Sequence, residues 1–256
     1  MRSMLFTAVA ALVAAAPSFL VSGRAVGADI PQIGGVVNYV ASSGAVHVNG
    51  VPVTEFSAGE GGSGGTSMNF TDWMVNGPNE IVLTVEPVND SGWAKLEVQE
   101  FTSDGPVFTL EQNEKGEARG TFEAEGLPEW AWLRATPQDE AAGLEDEVSA
   151  FHEAFAGADM DKIIAMSRPF LADQEIASGL TTEIFREELG PILEEGTLKE
   201  LPALSIAGYL DGRLFRVKGP DGGPPINLEF ESEGMSGAVR AGEWWSMIEG
   251  EWRVIR

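Results

Sequence analysis

Histidine is the first side chain to examine for chemistry, because imidazole changes its charge near neutral pH and often acts as a general base. The sequence contains two histidines, His47 and His152. His152 lies four residues after Val148 and three before Phe155, which places it beside the apolar stripe of a predicted helix. This position suits a half-buried histidine with a local hydrogen bond, and it also suits a general base that faces a pocket.

Metal and thiol chemistry are not expected. With two histidines and no cysteine, the chain has neither several imidazole ligands for one metal ion nor a thiolate nucleophile. We therefore expect no metal and no cofactor. Acidic side chains number 40 against 16 basic ones, so a pair of carboxylates by itself identifies no site. Asp159 and Asp161 are most simply a helix N-cap and a first-turn acid.

Seven tryptophans are the other residues that could form a binding site. An exposed indole stacks well on the C–H face of a sugar ring, although most tryptophans are buried anchors. Trp244 and Trp245 are adjacent in a predicted strand and so point to opposite faces. One of them should be buried, and the other should cover a pocket or meet the N-terminal half. Arg213 and Arg216 also face opposite sides of a strand, so they form no clamp.

A glycine-rich stretch at residues 59–65 matches two short motifs, G-x-G-x-x-G and G-x-S-x-G. Each motif works only at a turn between a strand and a helix. Residues 66–70, which follow, are strand-like rather than helical, so both matches are interpreted as accidental. The high glycine content predicts a flexible loop.

The first 28 residues have the three parts of a secretory signal peptide. These are Arg2, an apolar run from Leu5 to about Ala16, and small residues that end at Ala28. The run is shorter than the roughly 20 residues of a membrane-spanning helix. Cleavage is predicted after Ala28, which places the mature protein in the periplasm or outside the cell, without membrane insertion.

The net charge excludes one class of partner. It is −24 for the whole chain and −26 once the signal peptide, with two arginines and no acid, is removed. Binding of a phosphate backbone requires clustered Lys and Arg, so nucleic acids and anionic lipid surfaces are not expected partners. The acids occur in both halves, so they indicate solubility rather than one acidic site.

Residues 29–135 are predicted to form an all-β sandwich domain. Runs of alternating or β-branched residues are separated by Gly, Asn, Asp and Pro, which is typical of short antiparallel strands. Asn49-Gly50, between two β-branched runs, predicts a type I′ hairpin turn. The predicted strands cover residues 36–40, 45–53, 80–86, 96–101, 107–111 and 118–122.

Residues 136–256 are predicted to form an α+β domain, because helices come first and antiparallel strands follow. A first helix is predicted to start at Thr136 and to end at Gly157. A second is predicted to be capped by Asp159 and stopped by Pro169, and a third covers residues 181–195. The predicted strands cover residues 213–218, 226–231, 238–248 and 252–255.

The N-terminal half resembles a known class of domain. The run VHVNGVPVTEF and the later run MNFTDWMVNGPNEIVLTVEP, within residues 45–87, resemble jelly-roll (galactose-binding-like) β-sandwich domains that accompany sugar-processing enzymes. In that family such domains sometimes bind sugar and often only support a neighbouring domain. The resemblance implies a sandwich in the N-terminal half.

The C-terminal half has a second resemblance. Phe151-x-x-x-Phe155-x-x-x-Asp159-x-Asp161-x-x-Ile164 and the terminal run WWSMIEGEWRVI resemble the nuclear transport factor 2-like superfamily, which includes the SnoaL-like proteins. This implies a cone-like domain, a curved sheet wrapped around helices. Residues 167–205 are more helical than that family's usual pattern.

The second resemblance also implies site residues. Enzymes of the superfamily use polar groups inside the cone for dehydration or isomerisation, which implies His152, Asp161 and Tyr209 as catalytic candidates. Arg216 is implied as a binding residue, and Trp244 and Trp245 as an apolar wall.

Two kinds of function remain open at this point. The absence of a complete catalytic constellation favours an exported, non-catalytic binding or accessory protein, whose ligand is a small apolar molecule, a carbohydrate or a protein segment. The alternative is a SnoaL-like isomerase, dehydratase or hydrolase that uses general acid–base chemistry in the cone. A cone filled by its own Phe and Trp side chains would leave scaffold or protein-partner roles.

Overall fold

A computed structural model describes residues 30–100, 105–232 and 235–256, so the predicted signal peptide lies outside the described residues. The chain divides into two compact units between Glu129 and Trp130. We call Asp29–Glu129 the N-terminal unit and Trp130–Arg256 the C-terminal unit. In the described part of the chain, four antiparallel sheets and four helices give the α+β composition that the sequence predicted. No helix there is long and apolar enough to span a membrane.

The N-terminal unit contains two four-stranded antiparallel sheets. Their orders are β4-β1-β6-β7 and β3-β2-β5-β8. Along β6, alternate residues are buried, which is the pattern of a strand with one face on a core. The strands are β1 (Ile33–Val40), β2 (Ser42–Val48), β3 (Val51–Ser57), β4 (Ser63–Asn69), β5 (Gly77–Pro87), β6 (Trp93–Glu100), β7 (Phe108–Gln112) and β8 (Gly116–Ala124).

The strands of the two sheets are arranged in matching order. Each strand of one sheet is joined by a short connection, which we call a corner, to the strand at the corresponding position of the other sheet. β1 leads into β2, β3 into β4, β5 into β6, and β7 into β8. Ala41, at the first corner, has a φ of 41°. Its N–H donates to the carbonyl of Gly62 at 2.8 Å, and its own carbonyl accepts from Val88 at 2.7 Å. Three of the four corners are thus hydrogen-bonded side by side.

The predicted type I′ turn is confirmed. Val48 pairs with Val51, and the two residues between them, Asn49 and Gly50, have φ values of 51° and 82°. The Asn49 side chain donates to Oδ1 of Asn79, which is fully buried, at 2.8 Å. A two-residue turn and a buried amide therefore fix this end of the sheet together.

The glycine-rich stretch is only partly the predicted loop. Ser63–Asn69 is a strand paired with β1, so Gly64 and Gly65 lie in a sheet. A Cβ on Gly64 would lie 2.6 Å from the Tyr39 hydroxyl, and the Tyr39 ring stacks on Phe56 at 4.7 Å. Glycine at this point makes room for an aromatic pair, which local composition does not reveal.

The C-terminal unit begins with helices. Helix α2 (Met160–Met166) has the predicted cap, because the Asp159 carboxylate accepts from the Lys162 N–H at 3.0 Å. Pro169 lies in the first turn of a helix that the sequence did not predict, rather than only stopping the helix before it. The helices are α1 (Leu144–Ala156), α2 (Met160–Met166), α3 (Arg168–Ser178) and α4 (Thr182–Glu195).

The predicted start of the first helix at Thr136 is wrong. The Thr136 N–H donates to the carbonyl of Met247 at 2.8 Å, and the Gln138 N–H donates to Gly212 at 2.9 Å. These bonds connect residues 136–138 to distant parts of the chain, and the segment is not helical. The helix begins at Leu144 after Gly143 instead.

The C-terminal unit contains a four-stranded sheet, β10-β11-β14-β15, and a three-stranded sheet, β13-β12-β9. The predicted single strand over residues 238–248 is two strands separated by Gly242, whose φ is 76°, and Glu243. The strands are β9 (Thr197–Leu198), β10 (Ser205–Tyr209), β11 (Leu214–Lys218), β12 (Ile226–Ser232), β13 (Met235–Ala241), β14 (Trp244–Ile248) and β15 (Glu251–Val254).

Aromatic side chains fill the interior between these sheets and the helices. The Phe151 ring meets Trp245 edge-on at 5.6 Å, and Phe215 meets Trp252 edge-on at 5.2 Å. These residues belong to one cluster of buried apolar side chains that includes all four helices. The centre of the unit is therefore a packed core.

Candidate functional site

The structure brings together three of the six predicted site residues on one face of the β10-β11-β14-β15 sheet. The Tyr209 ring lies 5.5 Å from the Trp244 ring, and the Arg216 guanidinium lies over the same indole at 5.1 Å. Glu243, which sequence reasoning missed, completes the cluster. Its Oε1 accepts from Nε and Nη2 of Arg216, each at 2.7 Å.

Strand pairing explains why these residues meet. Arg216 of β11 is directly opposite Trp244 of β14, so both side chains leave the sheet on the same face. The backbone carbonyl of Glu243 accepts from the Val217 N–H at 2.7 Å, which holds the residue before β14 next to β11. The sequence offers one signal for Glu243, namely its position between Gly242 and the adjacent tryptophans Trp244 and Trp245.

The Arg216–Glu243 pair is a structural element. The two side chains retain only 11% and 8% exposure. Removing one member of a buried ion pair leaves an uncompensated charge and typically costs about 3–5 kcal/mol. Arg216 is bound to Glu243 and stacked on Trp244, and these contacts hold the neighbouring Tyr209 in place. Of these four residues, Tyr209 lines a surface groove.

Trp245 occupies the opposite face of β14 from Trp244, as predicted for adjacent residues in a strand. Its side chain is fully buried, and its Nε1 donates to the carbonyl of Gly242 at 2.6 Å. Trp244 is buried as well, with 4% exposure. Both tryptophans are therefore buried, and Trp245 has no surface to offer a ligand.

An open groove of about 780 Å³ runs along strand β10. Its apolar lining comes from Ala141, Ile206, Leu210 and Phe215, beside the Tyr209 ring. Its polar lining includes three acidic residues that are exposed, namely Asp139, Glu140 and Asp211. The groove thus combines an apolar lining with negative charge.

A tight turn forms one end of the groove. Leu210, Asp211 and Gly212 have consecutive φ values of 53°, 54° and 78°. A Cβ on Gly212 would lie 1.9 Å from the carbonyl oxygen of Gln138. This position therefore requires glycine for two reasons, the positive φ and the lack of space for a side chain. The same two residues are joined by the hydrogen bond from Gln138 to Gly212, and the turn is therefore clamped to the segment before α1.

Strand β10 is at the edge of its sheet. In the part of the chain that the structure describes, its sheet neighbour is β11, on one side only. Its sequence, Ser205–Tyr209, contains no proline and no Lys or Arg, which are common protections of a strand edge. The groove therefore lies against an edge strand that has none of these protections.

The remaining predicted catalytic residues have separate partners. Nε2 of His152 lies 2.9 Å from the carbonyl oxygen of Lys199, a partner 47 residues away in the sequence rather than the local one of the simpler interpretation. Asp161 is exposed and forms an ion pair with Arg186 at 2.6 Å. Neither residue lines the groove that contains Tyr209. Within the described residues, the hydrogen bonds and ion pairs of these three side chains do not connect them.

Glu188, on α4, has a clearly raised pKa. Burial raises the pKa of Glu188 above its ordinary value of 4.5, and the nearby charge of Glu187 raises it further. Its Oε2 is buried and has no hydrogen-bond partner in the described part of the chain. Burying this charge destabilises the folded state. Glu188 does not line the groove.

A metal centre is not found among the described residues, where no three His, Asp or Glu side chains are grouped closely enough to hold an ion.

Comparisons with known proteins give no relative. No protein-family model matches the chain, no curated protein matches its sequence, and no solved structure matches its fold. The two superfamily resemblances therefore remain predictions.

Proposed function

We propose that this protein is a non-catalytic binding or accessory protein that acts outside the cytoplasm. Its ligand is an extended segment of a partner protein, carrying basic and apolar side chains, that lies in the groove along β10. The observation that carries this proposal is the groove itself, because it joins an edge strand, an apolar lining and acidic residues in one place. The location rests on the predicted signal peptide.

The edge strand supports a protein segment as the ligand. An extended peptide can add a strand to a free sheet edge, and its main chain then supplies affinity while alternate side chains supply specificity. β10 has five residues, which is a usual length for such pairing. A segment paired with β10 would place its apolar side chains on one face of the sheet, against Ile206.

The charge of the groove supports basic residues in that segment. Asp139, Glu140 and Asp211 carry the same sign, and no Lys or Arg is among the groove residues. Charge complementarity mainly raises the association rate and rejects partners of the wrong sign. A chain with a net charge of −24 strengthens this selection at low salt.

The packed interior supports a surface site over an internal one. Phe151, Phe215 and Trp245 fill the space that a hollow cone would offer to a small apolar molecule. The separate partners of His152 and Asp161 favour binding over acid–base catalysis.

The finer architecture belongs to the same proposal. We propose that the two sheets of the N-terminal unit form a sandwich and that the C-terminal unit is a filled, cone-like α+β domain. The shared strand order and the row of hydrogen-bonded corners support the first. The seven strands that follow four helices support the second.

The test uses synthetic peptides as probes. One peptide alternates lysine with valine, and a second of equal length alternates glutamate with valine. The full chain without residues 1–28 should bind the first peptide, with an affinity that falls as salt rises, and should not bind the second. Fluorescence anisotropy of the labelled peptides measures both.

A matched pair of variants locates the binding. Reversing the groove charges in D139K/E140K/D211K should weaken binding of the lysine peptide about tenfold or more. E153K/E175K/E194K makes the same change in net charge at exposed helix positions outside the groove and should bind almost normally. Equal weakening in both variants, or no binding by the wild type, would refute the proposal, as would steady turnover of a substrate that is lost in H152A.

A further inference from the structure

Strand pairing determines which backbone groups of β10 face its open edge. The Val217 N–H of β11 donates to the carbonyl of Glu243 at 2.7 Å, on the side of β14. Val217 is directly opposite Ile206 of β10, and its backbone groups are turned away from that residue. In an antiparallel pair of this kind, both residues direct their N–H and carbonyl groups outward. Ile206, and Gly208 two residues along, therefore direct theirs to the open edge, where the proposed segment lies.

Gly208 makes room above an aromatic ring from the second strand of the sheet. It is directly opposite Phe215 of β11, and both residues line the groove. A Cβ on Gly208 would lie 3.3 Å from one carbon of the Phe215 ring and 3.7 Å from two others, which places it above the face of the ring. The φ of Gly208 is outside the left-handed region, so the backbone does not require glycine here. Phe215 is mostly buried, and Gly208 is the residue that leaves room over its ring.

Two acidic residues from separate segments lie at the end of the groove that follows Gly208. Asp211 comes three residues after Gly208, and Asp139 comes from the segment before α1. The residues next to them, Gly212 and Gln138, are joined by the clamping hydrogen bond of 2.9 Å. Both acidic residues are exposed, and the groove residues include no Lys or Arg. Like charges repel each other, so a cation bound at this end lowers the electrostatic energy.

We infer, on the basis of the proposed function, that the groove recognises an arginine of the bound segment at the position directly opposite Gly208. Side chains of directly paired residues share one face of a sheet, so this arginine lies on the face of Phe215. Its guanidinium stacks on the ring beside Gly208, and its charge is shared by Asp139 and Asp211. The residue two positions away in the segment is opposite Ile206 and is apolar.

Arginine matches this position better than lysine or an apolar residue does. The guanidinium is planar, stacks on aromatic faces and is more weakly hydrated than an ammonium group, so it loses less when it leaves water. A lysine satisfies the carboxylates as a point charge and gives the ring less contact. An apolar side chain covers the ring and brings no counter-charge to the carboxylates. The segment therefore carries an apolar residue and an arginine two positions apart on one face.

Three peptides test the residue type. In each, the central valine of the alternating lysine–valine peptide is replaced by arginine, by lysine or by citrulline, which is the uncharged isostere of arginine. The full chain without residues 1–28 should bind the arginine peptide about fivefold more tightly than the lysine peptide, although both carry the same charge. The citrulline peptide should bind more weakly than either. Fluorescence anisotropy at physiological salt gives the three dissociation constants.

Substitutions at neighbouring positions of β10 locate the recognition. G208V places a branched side chain above the Phe215 ring and should lower the ratio of arginine to lysine affinity from about five to about one. A207V adds bulk on the other face of the strand, where Ala207 is exposed and outside the groove, and should keep the ratio. G208A is the milder change and should lower the ratio in part. A purely structural role for Gly208 would lower the thermal unfolding temperature and leave the ratio unchanged.

The unmodified lysine–valine peptide tests the proposed function separately. If this peptide binds and the arginine and lysine peptides bind equally, the arginine site is refuted and the proposed function stands. An unchanged ratio in both G208V and G208A would also refute the arginine site, whatever the thermal stability of the two variants. If none of the peptides binds to the wild type, both proposals fail.

Discussion

The two units bury polar side chains in different ways. Among the described residues, the buried polar side chains of the N-terminal unit are uncharged, namely Ser42, Thr71 and Asn79. The C-terminal unit buries two carboxylates, Asp173 and Glu243, and holds Glu243 against the nearly buried Arg216. A neutral amide needs only hydrogen bonds when it is buried, whereas a buried charge also needs a counter-charge or several donors. The C-terminal unit therefore depends more strongly on particular partners.

The largest effect is expected from breaking the buried ion pair. E243A removes the carboxylate that binds Arg216 and should lower the free energy of unfolding by about 3–5 kcal/mol. K115A breaks an exposed pair of the N-terminal unit, Lys115 with Glu86 at 2.6 Å, and should lower the free energy of unfolding far less. Urea unfolding monitored by circular dichroism measures both, and equal effects would contradict the difference between the units.

A double substitution separates charge from packing. R216M/E243L replaces the pair by apolar side chains and should recover most of the stability that E243A loses. A double variant as unstable as E243A would show that specific hydrogen bonds, rather than the unpaired charge, stabilise this sheet.

The next largest effect compares one turn from each unit. Gly50 and Gly212 have similar φ values of 82° and 78°, but a Cβ on Gly50 meets nothing within 4 Å. G50A should therefore cost only the conformational strain of about 1 kcal/mol. G212A adds a clash with the Gln138 backbone and should cost roughly 3 kcal/mol in total.

Peptide binding distinguishes the two turns further. Because the Gly212 turn forms one end of the groove, G212A should weaken binding of the lysine peptide, and G50A should not. Thermal unfolding and fluorescence anisotropy on the same samples test this prediction. Equal stability of the two variants would show that the backbone near Gln138 can shift to make room for the added Cβ.

Asn79 tests the neutral network of the N-terminal unit. Its Nδ2 donates to the carbonyls of Val75 and Gly77 at 2.8 and 2.9 Å, and its Oδ1 accepts from the Val75 N–H at 2.8 Å. N79A leaves these buried groups unpaired and should cost about 2 kcal/mol. The loss should be the same at pH 5 and pH 8, since no ionisable side chain bonds to Asn79 in the described part of the chain. A strong pH dependence of this loss would contradict a neutral network.

The smallest effect concerns Glu188. Because the pKa of Glu188 is raised in the folded state, ionisation destabilises the fold at neutral pH, and stability is regained as pH falls through the raised pKa. E188Q should therefore stabilise the protein slightly at pH 7, by roughly 0.5 kcal/mol or less after screening by solvent. The difference between E188Q and the wild type should vanish below the ordinary pKa of 4.5.

A control at an exposed loop checks this pH dependence. E60Q removes the same charge at an exposed position of the N-terminal unit and provides the reference profile. Chemical unfolding between pH 4 and pH 8 gives the profile. A profile for E188Q that matches that of E60Q would show that Glu188 is as well solvated as a loop residue.

Local sequence signals predicted the elements that local chemistry controls. Asn49-Gly50 predicts its turn because few other residue pairs tolerate two positive φ values, and Asp159 predicts its helix because its side chain bonds within one turn. The predicted start at Thr136 is wrong, and this segment is instead connected by the Thr136 N–H to Met247, more than a hundred residues away. Helix α3 was missed because Pro169 stops one helix and starts another equally well.

The candidate site could be predicted only in part. Arg216, Trp244 and Tyr209 were candidates before the structure, yet their common position depends on the pairing of β10 with β11 and of β11 with β14. Glu243 and the acidic groove residues were missed, because acidic side chains are too numerous for one carboxylate to stand out in the sequence.

The sequence alone determined the composition, the charge, the turn chemistry and the alternation of residues within strands, all of which depend on neighbours along the chain. The tertiary structure decided which of seven tryptophans is exposed, that the C-terminal interior is filled, and that Arg216 faces Glu243. These properties depend on which strands become neighbours. Residues distant in sequence meet only when the sheets form, and no short-range pattern encodes that choice.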